Sequence, residues 1–334
     1  NAVAADYSLP GTITVPAGAH SKSVTLLALH DLLDEDDETV TVSIIDITNG
    51  RNNSTPQTVT LLDDDIIPTV TLSVDTIVLN DENPGNGSHS TVVRSTLDAL
   101  SGRHVTVTLV KTGVAEDSKD YTMGDTIFIS AGNFEAVIPL TALPDSLYEP
   151  NETIILNIKT LLNGVEAGGT GAQQQIVTIL DNDTPPSVTL VVGNLTLTED
   201  SGATSTSVTA LLDKVAGQTV TVFLVKTGSA KEGSTLDYTL PGTIVIPSET
   251  LSAAVTLQVV SEKMDENDET VIISITGVIN AEDASTPKTV TIIDDDLPPT
   301  ATLSTGTSTI IETSGTTTFI VTLSAPSSFQ VTVS

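Results

Sequence analysis

Three short motifs recur along this chain in one order and at nearly constant spacing, and that repetition limits its fold more than any other feature. Asp-Tyr-Ser/Thr occurs at Asp6, Asp120 and Asp237, at intervals of 114 and 117 residues. Glu-Thr at Glu38, Glu152 and Glu269 keeps the same intervals. An acidic triplet stands at 63–65, 181–183 and 294–296, each time closing an apolar stretch and each time followed within three residues by proline. Proline donates no ladder hydrogen bond and stiffens a short connection, so Pro68, Pro185-Pro186 and Pro298-Pro299 mark joints between repeats. The expected organisation is therefore the back of a repeat over 1–65, complete repeats over 66–183 and 184–296, and the front of a further repeat over 297–334. The two partial repeats are expected to be cuts through a module, and together they lack only the positions equivalent to 224–231.

Inside the second complete repeat, apolar residues alternate with period two, as in Val220, Val222 and Leu224, or Val271, Ile273 and Ile275. That is the pattern of strands with one buried face. Turn signals such as Leu240-Pro241-Gly242 separate them. Trp is absent and aromatic residues make up 3%, so β-branched Val, Ile and Thr must fill the cores. The expected fold is all-β: tandem Ig-like antiparallel β-sandwiches of about seven strands each, strung into an elongated rod.

Charge narrows the partners. The 43 Asp and Glu against 12 Lys and Arg leave a formal net charge of −31, which repels nucleic acid and anionic membrane surfaces and attracts cations. There is no cysteine, hence no disulfide and no thiolate metal site. No apolar run reaches the length of a membrane span, so direct membrane insertion is not expected.

The acidic residues are grouped by position in the repeat. In the second copy they fall after the first strand (Glu199), in the Asp-Tyr-Thr loop (Asp237), before Glu269-Thr270 (Glu262 and Glu266) and in the closing triplet (Asp294, Asp295 and Asp296). If alternate loops share one end of the sandwich, these segments meet there. Crowded carboxylates raise one another's pKa, and a hard cation with six to eight oxygen ligands relieves that repulsion. Calcium suits ligands from separate loops better than magnesium, and the lack of a repeated histidine disfavours zinc.

The ordered set of an early Glu-x-x-Gly turn, Asp-Tyr-Thr before a Gly-Thr-Ile strand, an acidic segment ending in Glu-Thr, and Asp-Asp-Asp before Pro resembles the Calx-beta family over essentially the whole chain. Domains of that family in sodium–calcium exchangers bind calcium through loops at one end of a sandwich, and others occur in large extracellular matrix and bacterial surface proteins. The resemblance implies calcium ligands at the seven residues just named. In the first copy it implies Asp81, Asp120, Asp145, Glu149, Asp181 and Asp183, with Asp81 shorter than the usual Glu and Asn182 replacing an Asp. In the leading part it implies Asp6, Asp31, Glu35, Asp63, Asp64 and Asp65, and in the trailing part Glu312. Glu38, Glu152 and Glu269 are read as caps or structural pairs, and the tyrosines at 7, 121 and 238 as core or loop anchors.

No nucleophile elbow, His-Glu-x-x-His helix or phosphate loop is present, and the four histidines occupy no repeated position, so no catalysis is expected. The leading functional expectation is a calcium-stiffened repeat region of an extracellular, bacterial, secreted protein, such as an adhesin stalk or surface fibre. Its partners would be calcium, neighbouring repeats of the same or identical chains, and an unidentified surface receptor or glycan. Two alternatives stay open: a filament subunit completed by strand exchange between chains, and a calcium-sensing regulatory region of a transporter or enzyme.

Overall fold

Strands are dictated by the Val/Thr alternation, and each complete repeat folds them into two facing five-stranded sheets. A computed structural model describes residues 2–80, 89–200, 202 and 204–334. In the second repeat one sheet runs, from edge to edge, Tyr238–Thr239, Ser252–Val259, Ser205–Leu212, Ser187–Val192 and Glu282–Asp283. The other runs Thr196–Thr198, Lys288–Ile293, Glu269–Ile279, Val220–Gly228 and Thr243–Ile246. The first repeat has the same order, from Thr69–Val74 to Gln174–Leu180. Cores form where the alternating residues face each other: Val188, Leu190, Val208, Leu257, Val271, Ile273, Val290 and Ile292 are all buried in the second repeat. Tyr121 and Tyr238 are buried in their respective cores, as anchors.

The tandem all-β sandwich is as expected, and two details go beyond it. The strand count is higher, ten per repeat, because the first strand of each repeat splits and short edge pieces such as Tyr238–Thr239 and Glu282–Asp283 add to the sheets. Ser187–Val192 pairs antiparallel with Ser205–Leu212, and then the chain crosses to the other sheet, where Thr196–Thr198 pairs parallel with Lys288–Ile293. The crossing is held by Gly193 N–H on Ser207 O (3.1 Å) and Asn194 N–H on the Oγ1 of buried Thr206 (2.7 Å). Thr76 N–H on buried Thr91 Oγ1 (2.9 Å) does the same in the first repeat. The pairing is therefore antiparallel except at the sheet edges, where these short parallel pieces cover backbone that would otherwise be unpaired.

By contacts the chain divides into two compact units, one of 1–145 with 151–182 and one of 146–150 with 183–334. Among the described residues the leading part contributes the hairpin Glu38–Val42 with Gln57–Leu61, and the trailing part Ala301–Thr305 with Phe319–Leu323. Both leave apolar side chains exposed, including Val42, Val59, Leu303 and Phe319. No helix among the described residues is long and apolar enough to cross a membrane.

A Lys-Thr-Gly run ends the strands Val105–Gly113 and Val220–Gly228 and sets the start of the Asp-Tyr-Thr loop. Lys226 Nζ donates to Leu240 O (2.8 Å) and pairs with Glu232, while Lys111 donates to Met123 O (3.0 Å) and pairs with Asp117 and Asp125. Gly228 and Gly113 both adopt φ +124°, and a Cβ there would run into the carbonyl oxygen of Thr270 or Thr153. Gly228→Ala is expected to cost about 2 kcal/mol or more through strain and displacement of the facing strand. A chemical denaturation midpoint equal to that of the unsubstituted chain would refute this.

Candidate metal centre

The register of the sheets explains why distant carboxylates meet. Thr198 is paired with Ile293, so the next residues, Glu199 and Asp294, leave the sheet side by side. Glu269 opens its strand opposite Ile292, and Asp294 N–H bonds Asp268 Oδ1 at 3.2 Å, which brings the Glu-Thr segment to the same end. Tyr238 is paired with Val259, and Val260 N–H bonds Asp237 O at 3.0 Å, which brings in the Asp-Tyr-Thr loop. Four segments thus converge at one end of the second sandwich, as the grouping of acidic residues implied.

Two carboxylate groups result. Glu199, Asp294 and Asp296 place oxygens within 4.8 Å of one another, and so do Asp237, Glu266 and Glu269. Glu262 is an electrostatic neighbour of both Glu199 and Glu266, raising the pKa of each. Glu199 is 7% exposed. Its Oε2, together with Glu262 Oε1, Asp294 Oδ1 and Asp296 Oδ2, is buried and accepts no hydrogen bond among the described residues. Such orphaned acceptors are costly unless something outside the chain satisfies them.

The charges respond accordingly. Burial, reinforced by Glu262, Asp294, Asp296 and Glu266, pushes the Glu199 carboxyl up to about 8. Burial, then a hydrogen bond with Asp237 and its charge, pushes Glu269 up to about 7. Glu266 and Asp296 are raised as well, each first by desolvation and then by their acidic neighbours.

Not every expected residue joins. Asp295 is exposed and turns outward, its Oδ1 accepting the Asp200 N–H at 3.3 Å, because alternate residues of an extended segment face opposite ways. Glu269, read from sequence as a structural pair, belongs to the second group instead. The repeat of its Glu-Thr motif alongside the other acidic motifs was the signal that could have identified it.

In the first repeat Asp120 is 6% exposed, with Oδ1 accepting no hydrogen bond among the described residues, and it lies with Asp145 within 4.8 Å. Asp181 leaves the sheet after Gln174–Leu180, its N–H on Asn151 Oδ1 at 3.1 Å. Asp183 and Glu149 fall in the segments that group with the second unit, and Asp81 lies outside the described residues. In the leading part all six expected residues, Asp6, Asp31, Glu35, Asp63, Asp64 and Asp65, line one acidic cavity of about 490 Å³, joined by His30, Asp36 and Glu38. Glu35 is raised by burial and by Asp31, Glu38, Asp6 and Asp63, and Glu38 by a hydrogen bond with Asp6. His30, read as a surface histidine, is largely exposed but groups with Asp64 and Asp65, its Nδ1 3.9 Å from Asp64. Glu312 is exposed and belongs to none of the carboxylate groups among the described residues.

Compared with known proteins, residues 63–183 and again 181–296 match the Calx-beta domain, which together is more than half of the sequence. The chain belongs to the Calx-beta domain family. Calx-beta domains are non-catalytic modules, so this chain has no enzymatic role in that capacity. No curated protein matches it. Similar solved structures include CBD12 from CALX1.2, 13% identical, covering 67% of this chain and 99% of that one with a TM-score of 0.29. They also include the apo-form Calx CBD1 domain, 18% identical over 33% of this chain and 98% of that one with a TM-score of 0.27. The CsuC–CsuE chaperone and tip adhesion subunit complex of Acinetobacter baumannii is 8% identical, covering 68% and 100% with a TM-score of 0.23. Acidic clusters and Calx-beta membership together give the chain calcium-binding potential. The donor set fits such an ion: it is all oxygen in the second repeat, and several donors are buried acceptors lacking a hydrogen bond.

Proposed function

We propose that this Calx-beta chain is a calcium-responsive repeat region, in which ion binding at the carboxylate end of each sandwich sets the stability of that repeat. The observation that carries the reading is the set of buried carboxylate oxygens on Glu199, Glu262, Asp294 and Asp296 that converge without hydrogen-bond partners among the described residues. Glu199, Asp294 and Asp296 would hold one ion, and Asp237, Glu266 and Glu269 a second, with Glu262 reaching toward either. A bound calcium ion supplies charge compensation. The chain supplies the geometry, through strand ends that fix each carboxylate before the ion arrives.

The same observation favours a regulatory region over a permanently loaded stalk or fibre. Carboxylates kept together at an energetic cost make the ion-free and loaded states differ strongly, and that difference is what a sensor needs. The stalk of a secreted or cell-surface protein is the second reading, supported by the net charge of −31 and the tandem repeats. The filament reading rests on the exposed apolar faces of the two partial repeats.

Calorimetry of the 334-residue chain with calcium against chelator tests the proposal. At a calcium concentration a hundred times the Kd, each site adds about 2.7 kcal/mol and raises the melting temperature of the unit that holds it. Identical melting in calcium and chelator would overturn it. The affinity then separates the readings: a Kd of roughly 10⁻⁷–10⁻⁵ M is that of a sensor and roughly 10⁻⁴–10⁻³ M that of an extracellular module. Sedimentation of the same samples decides the filament, which requires assembly beyond the monomer.

A further inference from the structure

One group of converging donors in the leading part differs in chemistry from the rest, because it contains a nitrogen. His30, Asp64 and Asp65 each offer one donor atom within 4.8 Å of the others. Two strand ends bring them together. Tyr7 pairs with Ala28, so His30 stands two residues past the strand Leu27–Ala28, and Leu29 N–H bonds Asp6 O at 2.8 Å. The loop beyond His30 is fixed by Leu33 N–H on Asp31 Oδ1 at 2.8 Å. Glu38 pairs with Leu61, and Asp63 N–H bonds Asp37 Oδ1 at 3.1 Å, which sets where Asp64 and Asp65 leave their hairpin. All three side chains line the acidic cavity of about 490 Å³.

The same positions are used differently in the second repeat. Tyr238 pairs with Val259, which makes Ser261 the counterpart of His30, and Asp295 is the counterpart of Asp64. There the chain satisfies both from within: Asp295 Oδ1 accepts the Asp200 N–H at 3.3 Å, and Ser261 Oγ bonds Asp200 Oδ1. In the leading part His30 Nδ1 and Asp64 Oδ1 instead face each other across 3.9 Å. That is beyond the reach of an N–H···O hydrogen bond, about 3.2 Å. It matches two ligands sharing one ion, since bonds of about 2.0–2.2 Å place neighbouring ligands roughly 3–4 Å apart. A direct ion pair between side chains 70% and 87% exposed would contribute little.

We propose that His30, Asp64 and Asp65 form a zinc site that belongs to the leading part alone. Calcium takes oxygen ligands, whereas an imidazole with two carboxylates suits zinc, and water from the open cavity completes the shell. In the first repeat Tyr121 pairs with Ala142, so the position of His30 is held by Pro144, which offers no side-chain donor. The chain therefore answers to two kinds of ion. Zinc stabilises the leading part without stabilising the second repeat, because it binds only where the nitrogen is.

The test uses the full 334-residue chain, stripped of metal, with zinc alone. The four histidines give separate imidazole proton resonances, and an equivalent of zinc at about pH 7.5 is expected to shift those of His30 and leave His20, His89 and His104 in place. Titration calorimetry is expected to show the zinc site weakened about tenfold or more in His30→Ser and Asp64→Asn, and unchanged in His20→Ser. Both ligand side chains are exposed, so the metal-free variants should melt like the unsubstituted chain. If one of them melts lower, the resonance shifts of the unsubstituted chain decide. Calcium titration of His30→Ser should match that of the unsubstituted chain, so a failure of the calcium reading leaves this assignment standing. Zinc binding that His30→Ser leaves unaltered, or a parallel shift of all four histidines, would overturn it. Reversal of the His30 shift by a slight excess of calcium would also overturn it, since the imidazole would then be a bystander at a calcium site.

Discussion

In chelator, raising the pH from about 5 to about 8 is expected to lower the melting temperature of the second unit, the reverse of ordinary acid denaturation. Glu199 has its carboxyl pushed from 4.5 to about 8, and Glu269 from 4.5 to about 7. Between those limits the unfolded chain has lost both protons while the folded chain still holds them. The unfolded state binds fewer protons, so stability falls as pH rises. The contribution is fully present below about 4.5 and is gone once pH passes about 8. For Glu199 alone the shift corresponds to at most roughly 5 kcal/mol, and relaxation around the cluster reduces it. Groups shifted the other way, such as Asp98, lowered by its hydrogen bonds from Thr69, act below about pH 4 and leave this window untouched. Saturating calcium should abolish the slope, because the ion takes the place of the protons. Scanning calorimetry at pH 5, 6.5 and 8 checks this, and a flat profile in chelator contradicts it.

Glu199→Gln is expected to move two quantities in opposite directions. Calcium affinity at the Glu199, Asp294 and Asp296 group should drop by about a hundredfold, since a charged ligand and its ion pairing are lost together. Stability in chelator at pH 7.5 should rise by about 1–2 kcal/mol, since the amide keeps the shape and is neutral without taking up the proton that the folded chain otherwise has to hold at this pH. A carboxylate that served the fold through a hydrogen-bonded partner would give the opposite stability change. Glu282→Gln, at an exposed edge position, should alter neither. Paired calcium titrations and denaturant curves measure both quantities, and a destabilised Gln variant that binds calcium normally would refute the assignment.

Much of this architecture is written in local patterns. Strands such as Val220–Gly228 and Ser252–Val259 follow directly from alternation of Val, Ile and Leu with Thr and Ser, because burial of one sheet face demands it. The carboxylate end was legible through ordering: acids in four separate segments recur in step with the repeat, and strand register then carries them together. What was not legible depends on contacts between strands. Nothing in Val191-Val192-Gly193-Asn194-Leu195 announces a change of sheet, since either half suits an edge. Asp295 and Asp294 look equivalent in the sequence, and only the pleat separates the one that faces the cluster from the one that faces Asp200. Glu269 was masked by its place at the head of a strand, where a pairing role is the ordinary one. Asp34 and Asp265 sit within acidic loops and gave no sign that their partners are Ser101 and Ser327.

The split first strand has a mechanical meaning. Thr196–Thr198 and Lys288–Ile293 lie near opposite ends of the repeat in sequence yet run side by side in the same direction. Tension applied along the chain draws such a pair past each other lengthwise, so that their hydrogen bonds bear load together and do not peel open one by one. Only three paired positions share that load, Thr196 with Thr291, Leu197 with Ile292 and Thr198 with Ile293. Glu199 and Asp294 are the next residues beyond that short ladder on its two sides. A cation gripped by both would extend it by one strong rung, placing the ion directly in the line of pull.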